Sequence, residues 1–346
     1  MKINIQYKFE DGPFGGANQF LKALKKEFIR QNVYEENLNK ANVCLINSFP
    51  FRNPNFLIDP IKNKIKNKNF KIIYRLDGLF YVNRLDEKQK KIDNICKYFA
   101  NNFVDGIIYQ TEWIKTIQQE YGIDKNIKND VIINAPDKDI FFLKNKELKN
   151  KELINNEKIQ LVSTCWAANE RKGFKYYKYL DENLDFKKYE MTFIGNSPIE
   201  FKNIKKLDPL NIKELAKQLE KKHIFISAAF DEPCSNSIIE AMHIGLPVVG
   251  HNSGGTPEIV KKGGELFFTE KDLLEKIEKV AKNYNFYKNN INLLNIEEVA
   301  KKYYSFLETI YKSTEYKKIN KINYFLFLIM ILKQEWKYFV KIFKKI

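Results

Sequence analysis

Residues Phe230–Val249 read FDEPCSNSIIEAMHIGLPVV, and this stretch decides the fold. The apolar run from His223 to Ala229 precedes it and predicts a buried parallel strand. Glu232-Pro233 ends that strand, the polar residues Ser235–Ser237 offer N-cap chemistry, and Gly245 ends the helix that follows. A strand, loop and helix in this order predict an open α/β sheet, which binds ligands at the carboxyl ends of its strands.

Two carboxylates flank the start of this helix. Glu232 falls in the loop, and Glu240 falls about two turns into the helix. Carboxylate oxygens accept hydrogen bonds from paired hydroxyls, so the two residues suggest a polyol ligand such as ribose or a hexose. The free N–H groups at Ser235, Asn236 and Ser237 suit phosphate or sugar oxygens. An isolated Glu is most often a solvated charge, and it is the surrounding sequence that favours a site.

A resemblance to a known family adds to this interpretation. Glu240 is followed by AMHIGLPVV and then, at 254–260, by GGTPEIV. The run resembles the C-terminal signature of the family 4 glycosyltransferases, and the resemblance thins out towards both ends of the chain. It implies an α/β protein of GT-B fold, with two Rossmann-like domains facing across a deep cleft. It also implies that Glu240 holds the donor ribose and Glu232 the donor sugar.

The same resemblance points to a diphosphate clamp after the strand predicted at Ile159–Cys165. In the family an Arg and then a Lys-Gly pair hold the donor diphosphate in the loop that follows this strand. Lys172 and Gly173 match the pair, and Lys172 would stabilise the charge on the leaving diphosphate. The upstream Arg is replaced by Trp166-Ala-Ala, so Arg171 is the candidate to assist. Further along, Gly195 lies in a tight turn, a position beside which nucleotide bases commonly lie in this fold.

The N-terminal half offers weaker candidates. A glycine-rich turn at 11–18 precedes an amphipathic helix, but it is not the Gly-x-Gly-x-x-Gly pattern of dinucleotide sites. By resemblance, Gly15 and Gly16 would face the cleft and contribute to donor binding. Asp77 follows a predicted strand, and the resemblance makes it the candidate to contact the acceptor hydroxyl. A plain Asp-Gly turn is the alternative for Asp77.

The sequence divides into five parts: an acceptor domain at 1–142, a linker at 143–158, a donor domain at 159–290, a helix returning to the first domain at 291–312, and a basic tail at 313–346. The linker prediction depends on a duplicated Lys-Asn-Lys-Glu-Leu that has no apolar face. A strongly basic stretch at Ile61–Phe70 is interpreted as a solvated face.

Composition limits the function classes. The 346 residues carry a formal charge of +16, which favours an anionic partner or surface, although an AT-rich genome would also enrich Lys and Asn. No nucleic-acid-reading motif is present, so a nucleic-acid binder is supported by charge alone. The four Cys lack zinc or disulfide spacing, and the N-terminus runs straight into a strand, so we expect no signal peptide and a cytoplasmic location. No Asp-x-Asp pair occurs in the expected loop, so we expect neither a metal nor another cofactor.

The tail has a character of its own. Ile322–Leu332 is almost wholly apolar, but it is too short to span a bilayer. Beyond it, helical spacing gathers lysines on one face (Lys333, Lys337, Lys341, Lys344, Lys345) and apolar side chains on the other (Trp336, Phe339, Val340, Phe343). This pattern is typical of a helix that lies in a membrane interface and is drawn to anionic lipid. A helix packed on the N-domain with its lysines in water is the alternative.

These features predict a retaining, metal-independent glycosyltransferase that moves a sugar from a nucleotide-sugar to a hydroxyl of a glycan or lipid-linked acceptor, on the inner face of a membrane if the tail binds lipid. Two alternatives keep the fold. One is a nucleotide-sugar synthase or phosphorylase, and the other is a non-catalytic scaffold at a membrane, which the missing Arg would favour.

Overall fold

The computed structural model describes residues 1–12, 16–50, 53–84, 86, 89–142, 158–315 and 317–343. They form two compact units: unit 1 contains Met1–Phe9, Leu24–Ile132 and Ala300–Ile346, and unit 2 contains Glu10–Ala23 and Ile133–Val299. The predicted linker lies outside the described residues except for Lys158. Each unit has a parallel sheet of its own, so the predicted pair of Rossmann-like α/β domains is confirmed.

Unit 1 contains a parallel sheet of five strands in the order β1-β2-β3-β4-β5. The strands are β1 (Ile3–Gln6), β2 (Val43–Asn47), β3 (Lys71–Leu76), β4 (Gly106–Tyr109) and β5 (Asn129–Val131). Every residue of β2, β3 and β4 is buried, as expected for parallel strands that are covered on both faces.

The helices between these strands are α1 (Gly16–Arg30), α2 (Asn55–Lys66), α3 (Phe80–Arg84), α4 (Lys90–Phe103) and α5 (Glu112–Glu120). The apolar face of α4 enters the core of unit 1, and Thr111 caps α5 by accepting a hydrogen bond from the Ile114 amide.

One prediction in this region is confirmed only in part, since Lys62, Lys66 and Lys68 are exposed as expected. The basic stretch at Ile61–Phe70 is not uniformly solvated, because Lys64 is fully buried. Its Nζ lies 2.6 Å from Asp105 Oδ2 and donates to the Phe103 carbonyl at 3.0 Å. Burial lowers the pKa of Lys64, and the Asp105 carboxylate opposes that effect.

Unit 2 contains a parallel sheet of six strands in the order β11-β10-β9-β6-β7-β8. The strands are β6 (Ile159–Cys165), β7 (Tyr189–Gly195), β8 (Lys205–Leu207), β9 (Ile224–Ser227), β10 (Val248–His251) and β11 (Gly264–Phe267). After β6 the chain runs outward through β7 to β8 at one edge of the sheet. It then returns to the opposite side of β6, where β9 lies. The loops after β6 and β9 therefore diverge, and this divergence makes a topological switch point.

The helices of unit 2 are α6 (Phe174–Asn183), α7 (Ile212–Leu219), α8 (Asn236–His243), α9 (Thr256–Val260), α10 (Glu270–Lys282) and α11 (Tyr284–Asn289). The predicted strand, loop and helix around Phe230 correspond to β9, its following loop and α8. The last of these helices pack on the sheet through residues such as Leu273, Ile277 and Tyr287.

Two further helices follow, α12 (Ile296–Lys312) and α13 (Lys321–Phe343). Residues from Ala300 onward group with unit 1, where the Arg75 Nε donates to the Tyr303 hydroxyl at 3.1 Å. Phe327 and Ile331 of α13 are buried in the unit 1 core. Within the described part of the chain, none of the helices has the length and apolar character needed to cross a membrane.

Candidate functional site

A cavity of about 200 Å³ lies at the switch point of the unit 2 sheet. One group of lining residues lies at or after the carboxyl ends of β6, β7 and β9. A second group is apolar and comes from α7 and the chain before it. The lining residues are Gly16, Gln19, Thr164, Cys165, Trp166, Lys172, Ile194, Gly195, Pro209, Leu210, Ile212, Leu215, Glu232, Ser235, Asn236, Ser237 and Glu240.

Lys172 and Glu232 meet across this cavity. A short 3-10 turn at Glu170–Lys172 ends at Gly173, whose left-handed φ of +71° starts α6. The turn brings Lys172 Nζ to within 2.7 Å of Glu232 Oε2. Burial alone lowers the pKa of Lys172, but the charge and hydrogen bond of Glu232 outweigh it and the pKa is raised. The lysine is therefore charged at neutral pH.

Glu240 is the second carboxylate of the cavity, on the second turn of α8. The side chain is half-buried, and burial raises its pKa to about 8. Among the described residues its carboxylate has no hydrogen-bond or ion-pair partner. A buried acceptor without a protein partner is costly unless a ligand satisfies it.

The start of α8 forms the floor between the two carboxylates. Ser235 is the N-cap residue, but its side chain makes no capping hydrogen bond, and its Oγ lies 3.0 Å from the Oγ of Ser237. The backbone N–H groups of the first turn have no partner within the helix. Asn236 accepts a hydrogen bond from Asn134 Nδ2 at 3.1 Å, which fixes its side chain at the cavity wall.

Two of the predicted glycines line the cavity where the backbone comes closest to its neighbours. Gly195 has φ +125°, and a Cβ there would lie 1.9 Å from the Cys165 carbonyl oxygen. A Cβ on Gly16 would lie 2.4 Å from Asn236 Nδ2. Side chains at these positions would therefore fill the cavity or displace its wall. Gly15 lies outside the described residues.

Arg171 is placed differently from the expectation. It is not among the residues that line the cavity, and the residue as a whole is 5% exposed. Its Nη2 donates to the carbonyl oxygens of Phe230 at 3.1 Å and Asp231 at 2.7 Å. Asp231 has a φ of +50°, so the arginine supports an irregular loop that carries Glu232. The Arg171 guanidinium therefore bonds to the backbone of that loop.

Asp77 follows β3 in unit 1, as predicted from the sequence. Its Oδ1 accepts from the Gly78 amide at 2.9 Å, and its backbone carbonyl accepts from Gln118 Nε2 at 2.6 Å. The structure places it in unit 1, whereas the residues gathered at the cavity belong to unit 2. Its role toward an acceptor stays a prediction.

Several cavity residues were missed by sequence reasoning. The apolar wall formed by Ile194, Leu210 and Ile212 has no motif, and only its place at the end of β7 and around the start of α7 could have indicated it. Cys165 also lines the cavity, but burial raises the pKa of its thiol to about 11, so it is protonated at neutral pH. Within the described ranges no cluster of His, Cys, Asp and Glu could hold a metal ion.

The sequence comparison gives one family. Residues 144–292 match the model of a family described as "Glycosyl transferases group 1". That segment contains the cavity except for the two residues contributed by α1. No curated protein matches the sequence.

Solved structures show the same fold over most of the chain. HepE from Anabaena, solved with UDP, has 14% identity and a TM-score of 0.67, with 89% of this chain and 100% of that chain covered. Sucrose-phosphate synthase from Thermosynechococcus elongatus has 12% identity and a TM-score of 0.65, covering 90% and 99%. WaaG, a glycosyltransferase involved in lipopolysaccharide biosynthesis, has 12% identity and a TM-score of 0.57, covering 90% and 98%. The chain has the GT-B fold, and the family match together with this fold supports a glycosyltransferase.

Proposed function

We propose that this protein is a retaining glycosyltransferase that moves a sugar from a nucleotide-sugar to a hydroxyl of a glycan or lipid-linked acceptor, without a metal ion. The observation that carries the proposal is the cavity at the switch point. It combines an unpartnered, half-buried carboxylate at Glu240 with the Lys172–Glu232 ion pair at the start of a helix.

The geometry suits each part of a nucleoside diphosphate sugar. Glu240 accepts hydrogen bonds from the two ribose hydroxyls, which supplies the partners that its carboxylate lacks in the protein. The diphosphate binds at the N-terminus of α8, where free N–H groups and the helix dipole favour negative charge. The base packs against the apolar wall at Ile194 and Leu210.

The chemical step follows from this placement. The acceptor oxygen forms a bond to C1 of the sugar on the face from which the diphosphate leaves, while the bond from C1 to the diphosphate oxygen breaks. The electron pair goes to the diphosphate, whose leaving oxygen accepts the proton of the acceptor hydroxyl. Lys172 and the α8 N–H groups stabilise the charge that grows on the leaving oxygen. They supply the positive charge that a metal would otherwise supply. Glu232, paired with Lys172, orients the sugar hydroxyls.

Two features of the structural neighbours support this donor class. HepE has been solved with UDP and glucose and with UDP-glucose. The catalytic domain of starch synthase IV from Arabidopsis thaliana has been solved with ADP and acarbose. Both uridine and adenine nucleotides bind proteins of this fold, so the test must survey the bases.

The test is calorimetry and thermal shift of the purified protein with UDP, GDP, ADP and their common sugars. We expect one nucleotide series to bind, with affinity lost in Glu240→Ala and in Lys172→Ala. The exposed residues Glu275 and Lys271 on α10 give matched controls, Glu275→Ala and Lys271→Ala, which should bind as the parent does. No binding by well-folded protein would contradict the proposal. Product analysis with the bound donor then separates transfer from synthase or phosphorylase chemistry.

A further inference from the structure

We propose that one exposed face of α13 is a docking surface for an anionic lipid bilayer. This surface, called here the α13 outer face, consists of Ile322, Phe325, Leu326 and Leu332. Their side chains are 69%, 64%, 45% and 68% exposed. Exposed apolar residues are ordinary when scattered, but a contiguous set along one helix indicates an interaction site.

The outer face is distinct from the face that holds α13 in place. Phe327 and Ile331 are buried, and the Phe327 ring lies 5.6 Å from that of Phe99 and 5.3 Å from that of Phe103 on α4. At about 100° per residue, the four outer residues occupy an arc of about 120° centred opposite Phe327 and Ile331. Packing on α4 therefore leaves this arc exposed and available for binding.

A polar contact fixes the rotation of the helix. Asn323 Nδ2 donates to Asn102 Oδ1 on α4 at 2.6 Å, on the packed side. The Asn323 amide thus makes its hydrogen bond on the packed side of the helix. Between Ile322 and Leu332 the outer arc carries no polar side chain, and the exposed Lys321 and Lys333 lie at its two ends. Such an arc can enter the interfacial region of a bilayer without burying an unsatisfied polar group.

Charge favours lipid over a second copy of the chain. From Lys317 to Ile346 the sequence has eight Lys and one Glu, and the whole chain has a formal charge of +16. An anionic bilayer attracts such a segment, with each lysine near the surface adding to the binding. Pairing two copies through this face would bring two basic segments together, which Coulomb repulsion opposes. The same surface that repels its own copy is thus complementary to acidic headgroups.

Vesicle flotation with the full chain tests the proposal. We expect binding to vesicles of phosphatidylcholine mixed with phosphatidylglycerol and little binding to phosphatidylcholine alone. Phe325→Ser/Leu332→Ser should lower the partition coefficient at least tenfold, because it removes two of the four apolar side chains that enter the bilayer. The control Phe268→Ser/Phe286→Ser removes two phenylalanines that are 62% and 56% exposed in unit 2, and it should bind as the parent does.

A second pair of variants separates local charge from total charge. Lys321→Glu/Lys333→Glu and the control Lys301→Glu/Lys302→Glu, in the exposed positions of α12, change the net charge equally. The first should weaken binding several-fold more than the second. Far-UV circular dichroism checks folding, and Ile322→Ser/Leu326→Ser replaces the first apolar variant if that one is misfolded.

Three results would overturn the proposal. One is the absence of binding to the anionic vesicles. Another is equal loss in the test and control pairs, which would show that binding depends on total charge only. The last is light scattering that shows a dimer in the parent and a monomer in Phe325→Ser/Leu332→Ser, without vesicle binding, which would assign the face to a second copy.

Discussion

The Lys172 ammonium lies 2.7 Å from the Glu232 carboxylate, and this ion pair joins the turn after β6 to the loop after β9. The same turn and loop are also joined by the Arg171 guanidinium, which donates to the Phe230 and Asp231 carbonyls, and by the Phe230 amide, which donates to the Arg171 carbonyl at 3.0 Å. The Lys172 and Glu232 side chains are partly shielded, with 23% and 26% exposed. The pair therefore adds a side-chain contact between the two segments and places opposite charges inside the cavity.

The first prediction concerns the energy of this pair. Lys172→Met leaves a shielded Glu232 without its partner, and Glu232→Gln does the converse to Lys172. In a double-mutant cycle measured by chemical denaturation, we expect a coupling energy of about 1–2 kcal/mol. Additive effects of the two substitutions would show that the loops are held by other contacts.

The second prediction uses the pKa of Glu240. The folded protein raises this pKa to about 8 from an ordinary value of 4.5, so ionisation of Glu240 opposes folding. Below the pKa of the unfolded chain, Glu240 is protonated in both states and costs the fold nothing. As the pH rises from there through about 8, the unfolded chain ionises more readily than the folded protein, and the free energy of unfolding falls. Glu240→Gln should therefore stabilise the ligand-free protein by an amount on the order of 2 kcal/mol near pH 9 and by much less near pH 5.

Thermal unfolding of the two proteins at both pH values measures that difference. Glu275→Gln, an exposed residue on α10 of the same unit, is the control and should leave the melting temperature unchanged at either pH. A stabilisation by Glu240→Gln that does not grow with pH would contradict the assignment of a raised pKa to this carboxylate.

The third prediction couples the same group to the proposed donor. The ionised carboxylate accepts from two ribose hydroxyls, whereas the protonated form has given up part of that acceptor capacity. Donor affinity should therefore rise with pH, by up to about fiftyfold between pH 6 and pH 8. Calorimetry with the nucleotide that binds most tightly measures it. Glu240→Gln should show weak binding and no such pH dependence.

The sequence predicts several of the residues that meet at the cavity because its signals there are local. The strand before Phe230, the break at Pro233 and the polar start of α8 lie in one short run, and their spacing alone sets Glu232 and Glu240 on one side of the helix start. Lys172 comes from elsewhere in the chain, but it too follows a buried strand. The carboxyl ends of neighbouring parallel strands meet at one edge, which is why the structure brings these residues together.

The rest depends on contacts between residues that are distant in sequence. Nothing local indicates that the Arg171 guanidinium turns to the Phe230 and Asp231 carbonyls, or that Asn134 bonds to Asn236. The lysine-rich pattern around Lys64 predicts a solvated face because its partner, Asp105, comes after three intervening elements of the fold, β3, α3 and α4. Contacts between residues that are distant in sequence determine where these side chains lie. Composition and hydrophobic periodicity carry no information about such contacts.

The fourth prediction tests the close approach at Gly195. A Cβ at this position would lie 1.9 Å from the Cys165 carbonyl oxygen, and the φ of +125° is one that L side chains rarely adopt. Gly195→Ala must move the ends of β6 and β7, which both line the cavity. We expect it to destabilise unit 2 by at least about 2 kcal/mol. Gly12→Ala serves as control in denaturant unfolding, because its positive φ of +87° is strained but its Cβ meets no atom. Equal losses would attribute the cost to φ alone.

The fifth prediction concerns the buried ion pair of unit 1. Lys64 and Asp105 are 0% and 6% exposed, and their charged atoms are 2.6 Å apart. Lys64→Met removes the cation and leaves the Asp105 carboxylate buried without it, so unfolding free energy should fall by about 3–5 kcal/mol. Lys62 lies on the same helix, pairs with Asp59 at 3.2 Å and is 54% exposed. Lys62→Met should change stability by less than about 1 kcal/mol. Chemical denaturation of the two variants compares them directly, and equal losses would mean that Lys64 is solvated as its sequence context suggests.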